Sequence, residues 1–133
     1  MKTRVEFRSH QFPPYEGEEA QINPGLWGKR LAEYFAHRLP EHGIKVGAPI
    51  AEDWGWYLPV VIADKNLAVC CGHQDGEDNQ FLCFTDPAVP MVRKLFKTID
   101  YTESLAQLVA ALDAILSHDS GVHDVTWGDD ASH

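Results

Sequence analysis

Glu52-Asp53-Trp54-Gly55-Trp56-Tyr57 sets two carboxylates directly before three aromatic rings and a single glycine. Read as a strand, the block turns Trp54 and Trp56 to one side and Gly55 and Tyr57 to the other. The acids then stand beside a broad apolar surface, surroundings in which a carboxyl group can serve as a general acid. Adjacent side chains on a strand point apart, so Glu52 and Asp53 do not form the facing pair of a glycosidase. The competing reading puts the tryptophans in the core and the acids in a solvated turn. Glu52, Asp53, Trp54, Trp56 and Tyr57 are therefore candidate binding residues, and no catalytic residue is assigned.

Three other constellations have duller explanations. Cys71-Gly72-His73 with Cys83, joined by His123, offers soft ligands for zinc. Structural zinc sites show two closely spaced ligand pairs, and only one pair is present, so small cysteines in a central strand are the better account. No cation stands near Cys71 in sequence to activate it as a nucleophile paired with His73. Asp75-Gly76-Glu77-Asp78-Asn79 imitates a calcium loop, but its sixth position is Gln80 instead of glycine and strand follows, which makes it a hairpin turn. Asn23-Pro24-Gly25 could bind an anion as a helix start, though a plain cap suffices. No phosphate loop, nucleophile elbow or paired-histidine zinc motif occurs. Neither a metal nor a cofactor is expected.

The elements that must position these residues follow from periodicity. Thr3 to Ser9 alternates as a half-buried strand, and the segment from Phe12 to Glu19 is a loop. Asn23 and Pro24 predict a helix start, with Trp27, Leu31, Tyr34, Phe35 and Leu39 on one stripe and Pro40 and Gly43 closing it. Strands are expected over Ile44–Ile50, Trp54–Ala63, Leu67–His73 and Phe81–Thr85, connected as an antiparallel meander. Pro59 marks an edge or a bulge within the second of them. Pro87 to Thr98 reads equally as helical turn or strand. Leu105, Leu108, Val109, Leu112, Ile115 and Leu116 define a second helix, capped by Asp100 or Thr102 and ended by Gly121. Val122 to Trp127 forms a last strand, and 128–133 a frayed tail. The fold class is α+β: a two-layer sandwich with an antiparallel-rich sheet and two helices packed on one face, in a single domain over 1–133.

A chain of 133 residues with 44% hydrophobic residues suits one core. No apolar run is long enough to span a bilayer, no signal peptide opens it, and three cysteines make no disulfide framework, which together predict a cytoplasmic protein. The net charge is −9, with eight Lys/Arg against nine Asp/Glu in 1–66 and three against eleven in 67–133. That balance argues against nucleic acid and anionic membrane as partners and is compatible with a basic protein.

The helix Leu31-Ala32-Glu33-Tyr34-Phe35 closing near Gly43, the Glu52-Asp53-Trp54-Gly55-Trp56 block and the hairpin after it resemble, over residues 24–86, a family of small bacterial proteins that carry no assigned activity. The resemblance implies a bacterial cytoplasmic accessory protein and defines no catalytic residue. Two functions are expected from the residues. One is a non-enzymatic acidic interaction module, inhibitor- or immunity-like, that presents carboxylates and aromatics to a basic partner as monomer or homodimer. The other is a small-molecule-binding protein or hydrolase in which Trp54, Trp56 and Tyr57 line a pocket and Glu52 or Asp53, with His73, acts as base.

Overall fold

Alternation in β1 (Lys2–Ser9) places Val5 and Phe7 on a buried side and Arg4, Glu6 and Arg8 on the other, as a half-buried strand requires. The computed structural model describes residues 1–74 and 77–129. Six further strands join β1 in one antiparallel sheet: β2 (Lys45–Val46), β3 (Ile50–Glu52), β4 (Gly55–Ile62), β5 (Lys65–His73), β6 (Gln80–Asp86) and β9 (Val122–Asp129). The order is β2-β4-β5-β6-β1-β9, with β3 also pairing β4. Strands β7 (Met91–Lys94) and β8 (Lys97–Asp100) form a separate hairpin.

Helix α2 (Lys29–Arg38) and helix α3 (Thr102–Ser117) cover one face of the sheet. Leu31 and Phe35 of α2 and Leu105, Leu108, Leu112 and Leu116 of α3 share a core with Val5, Phe7, Leu58, Val69, Phe81 and Cys83. This is the α+β sandwich expected from the periodicity. A short helix, α1 (Glu18–Gln21), begins at the end of the segment read from sequence as loop.

The first long helix starts later than its Asn-Pro signal suggests. Pro24 and Gly25, the latter at φ 81°, form the corner of a turn closed by the Leu26 amide donating to the Asn23 carbonyl at 3.0 Å, the geometry that a proline-glycine pair favours. Gly28 is the true N-cap, and Trp27 leaves the expected helical stripe. The predicted stop is correct: a 3₁₀ turn over Leu39–His42 ends at Gly43, φ 77°, a conformation glycine adopts without strain.

Three other boundaries differ. The expected strand over Ile44–Ile50 is two pieces, β2 and β3, that pair with opposite halves of β4. Pro59 lies between those halves with its carbonyl accepting from the Gly47 amide at 2.9 Å, so its missing donor falls between the two short strands; β4 is not the edge strand that the proline suggested, because β5 pairs its other side. The ambiguous stretch after Pro87 is the β7–β8 hairpin. Gly128 and Asp129 belong to β9, which corrects the tail that was expected from 128; residues 130–133, like Asp75 and Gly76 of the expected hairpin turn, fall outside the described residues.

Asp119, just past α3, fastens three segments. Its Oδ2 accepts from the Tyr34 hydroxyl at 2.6 Å and its Oδ1 from Gln11 Nε2 at 2.9 Å and the Gly121 amide at 2.8 Å. Burial opposes ionisation of Asp119, but these bonds together outweigh it and hold the carboxyl below its ordinary value of 3.8. The stabilisation is therefore present above pH 3.8 and is lost as pH falls through the lower folded value. Urea melts of Asp119→Asn at pH 7 and pH 3 should show a shallower acid loss than wild type, with about 1 kcal/mol removed at pH 7.

Candidate functional site

The acidic-aromatic block is a tight hairpin instead of a continuous strand. Glu52 pairs with Gly55, and Asp53 and Trp54 form the turn between β3 and β4. Gly55 sits at φ 152°, a conformation closed to most side chains. This reverses the alternation on which the expected common side of Trp54 and Trp56 depended. Trp56, 5% exposed, registers with Cys71 and through it with Cys83 on the helix side. Trp54, 39% exposed, lies with its ring centroid 5.7 Å from that of Phe84, which registers with Cys70 and Arg4 on the helix-free side. The two indoles occupy opposite faces of the sheet, so no single pocket is lined by both. Glu52 and Asp53 are exposed.

Trp56 serves a site that the sequence did not reveal. Glu18 is 3% exposed, and its Oε2 accepts from Trp56 Nε1 at 2.8 Å, the Gly28 amide at 2.8 Å and the Lys29 amide at 2.9 Å. Its Oε1 accepts from the Tyr15 amide at 2.9 Å. The carboxylate thus meets the first amides of α2, where helix geometry leaves donors without partners and the dipole favours negative charge. Glu19 does the same for the preceding turn, accepting from the Gly25 amide at 2.6 Å. The anion-binding potential of Asn23-Pro24-Gly25 is met from within the chain. Nothing in sequence marked Glu18, because its loop has no apolar period and its partners lie 3, 10, 11 and 38 positions away.

His73 is likewise occupied. Its ring stacks on Trp27 with centroids 3.6 Å apart, Nδ1 lies 2.9 Å from the Gly25 carbonyl and Nε2 2.8 Å from the Glu77 carbonyl. Each nitrogen is aimed at a backbone acceptor, and neither faces Glu52 or Asp53. Cys71 and Cys83 register across β5 and β6 as free, buried thiols. Burial, followed by the neighbouring Cys83, pushes the Cys71 thiol well up, and burial does the same for Cys70, against the thiolate needed for a nucleophile or a metal ligand. Among the described residues no group of three or more His, Cys, Asp or Glu is arranged to hold a metal.

Two surfaces next to the expected site residues are available. The helix-free face carries Trp54, Tyr57 and Val61 from the β3–β4 turn and β4, Ile50 directly opposite Tyr57, and Phe84 next to Trp54. Ile50, Trp54 and Val61 are exposed. Beyond Tyr57, a cavity of about 460 Å³ opens between the β4–β5 turn and the β7–β8 hairpin, lined among others by Tyr57, Asp64, Lys65, Asp86, Lys94 and Tyr101. Tyr57 Oη lies 3.4 Å from Asp86 Oδ2, and burial, then the Asp86 charge, raises the phenol above its ordinary value. Of the expected site residues, Glu52, Trp54 and Tyr57 thus stay on the helix-free side, Asp53 lies exposed in the turn, and Trp56 is on the other face.

No family model, curated protein or solved structure matches this chain. No helix among the described residues is long and apolar enough to cross a membrane.

Proposed function

We propose that this protein is a non-enzymatic interaction module, inhibitor- or immunity-like, that binds a basic protein through the helix-free face of its sheet. The observation that carries this reading is the arrangement around Trp54: a partly exposed indole seated on Phe84, with exposed Ile50 nearby and exposed Glu52 and Asp53 beside it. An aromatic anchor with a charged rim is the usual anatomy of a binding hot spot, and exposed Ile50, Trp54 and Val61 on a sheet face that no helix covers are an apolar patch that folding alone does not explain. The net charge of −9 would steer a cationic partner toward it. Three free cysteines suit a reducing compartment, in keeping with a cytoplasmic protein of the bacterial family that shares the Glu-Asp-Trp-Gly-Trp block.

Affinity capture with the full chain tests the reading. A basic partner should be retained at low salt, weakened at high salt, and lost from Trp54→Ala and from the Glu52→Lys/Asp53→Lys double variant, whose exposed positions leave folding intact. Retention that is indifferent to both variants would defeat it. A second reading, binding of a small polar ligand, is favoured by the cavity beside Tyr57, where phenols, carboxylates and amines converge; its carboxylates are Asp64 and Asp86, not Glu52 and Asp53.

A further inference from the structure

The β7–β8 hairpin ends in a tip that no part of the described chain covers. Leu95 is 89% and Phe96 101% exposed. Of the eight exposed large apolar residues among those described, four (Val89, Met91, Leu95 and Phe96) fall in this one short stretch, a concentration that scattered surface apolars do not produce. Leu95 holds φ at 51°, a conformation that penalises a residue with a side chain and that glycine would adopt freely. Leucine at that corner keeps an apolar side chain at the apex.

The charges around the tip are as unusual. Residues 67–133 contain only three Lys/Arg, and all three, Arg93, Lys94 and Lys97, are in this hairpin. Lys94 and Lys97 register directly opposite each other, a like-charge pairing that opposes strand association. No carboxylate among the described residues forms a salt bridge with any of the three. An apolar apex backed by a cationic collar that forms no ion pair among the described residues matches the layering of an anionic bilayer, acyl chains first and phosphates a few ångströms further out.

From this we infer that the Leu95-Phe96 tip inserts into the interface of an anionic lipid bilayer, with Arg93, Lys94 and Lys97 against the headgroups. The observations favour lipid over a protein pocket because the two tip residues are nearly fully solvated and the charges flanking them are all cationic. The overall charge of −9 does not forbid it: at physiological ionic strength the repulsion is screened beyond about 8 Å, and the collar is the nearest charge to the surface. It runs against the expectation, drawn from net charge alone, that an anionic membrane is not a partner. It is also independent of the Trp54 face, since no residue is shared.

The test is sedimentation of the full chain with phosphatidylcholine vesicles with and without phosphatidylserine. Wild type should bind the phosphatidylserine vesicles, release on raising the salt, and bind neutral vesicles at least tenfold less. Leu95→Ser/Phe96→Ser should lose at least tenfold, and the Arg93→Gln/Lys94→Gln/Lys97→Gln variant about as much or more, from roughly fivefold per cation. A circular-dichroism melt verifies folding, and Phe96→Asp alone provides a second apical variant. Wild type that fails to bind phosphatidylserine vesicles at low salt, or binding unchanged in the apical variants, overturns the inference. So does a protein captured by wild type and lost from Leu95→Ser/Phe96→Ser without any vesicle binding, which would assign the tip to a protein partner.

Discussion

Glu18→Ala should destabilise the protein by about 4 kcal/mol, and Glu18→Gln by about half of that, in urea unfolding at neutral pH. The alanine variant strands four donors, the Tyr15, Gly28 and Lys29 amides and the Trp56 indole, in a site from which bulk water is excluded. Each buried donor left without a partner costs about 1–3 kcal/mol, and bonds to a charged acceptor are at the upper end. Water entering the vacated space recovers part of the sum, which is why the expectation stays below a simple total. Glutamine keeps one acceptor oxygen but turns an amide NH2 toward N–H groups. Against a typical total stability of about 5–15 kcal/mol, the alanine variant should be near the limit of folding at growth temperature. A loss under about 1 kcal/mol would mean that the loop, α2 and β4 are held together by something other than this carboxylate.

Gly55→Ala is the second large effect, on the order of 3 kcal/mol, or roughly 10 °C in the thermal midpoint for a chain of this size. Two penalties combine. The backbone at φ 152° is one that alanine resists, and the new methyl would be driven into the backbone carbonyl of Cys71, well inside van der Waals contact. The obstruction is main chain in the middle of a sheet, so it cannot swing aside as a flexible side chain would. Gly28 approaches the same carbonyl, with an added Cβ only 2.7 Å from the Cys71 oxygen, so the two glycines let the α2 start and the β3–β4 turn close on one point of β5. Gly128, which has nothing within 4 Å of an added Cβ, is the control: Gly128→Ala should change stability by less than about 0.5 kcal/mol. Equal midpoints for Gly55→Ala and Gly128→Ala would refute the close-approach argument.

The sandwich was legible because its two long helices and central strands carry clean apolar periods. Leu105 through Leu116 could hardly face anything but a core, and Val5 and Phe7 alternate as a strand one side of which is buried. The candidate site was legible only in composition. Period-two reasoning assumes an unbroken strand, and Gly55 with the two-residue turn Asp53-Trp54 breaks it, which sends Trp54 and Trp56 to opposite faces. Asn23 and Pro24 are good helix-start residues, yet Pro24-Gly25 is also a good turn, and a carboxylate from a different loop decided between them. Glu18, His73 and Trp27 act through partners distant in sequence, which a local pattern cannot encode. The β7–β8 hairpin was ambiguous for a related reason: each of its strands sends only one apolar residue, Val92 or Ile99, toward the core, and its other large apolar residues, Met91, Leu95 and Phe96, are exposed.

The position of β1 in the sheet order has a consequence for biosynthesis. Its hydrogen-bonding neighbours are β6 and β9, so after β1 is synthesised it has no partner strand until more than seventy further residues have been made. At about 5–20 residues per second that is several seconds or more, during which Val5 and Phe7 sit in a chain with an unpaired backbone. Arg4, Glu6 and Arg8 alternate with those apolar positions, and interleaved charge of this kind is what keeps a nascent segment from associating with its neighbours on a polysome.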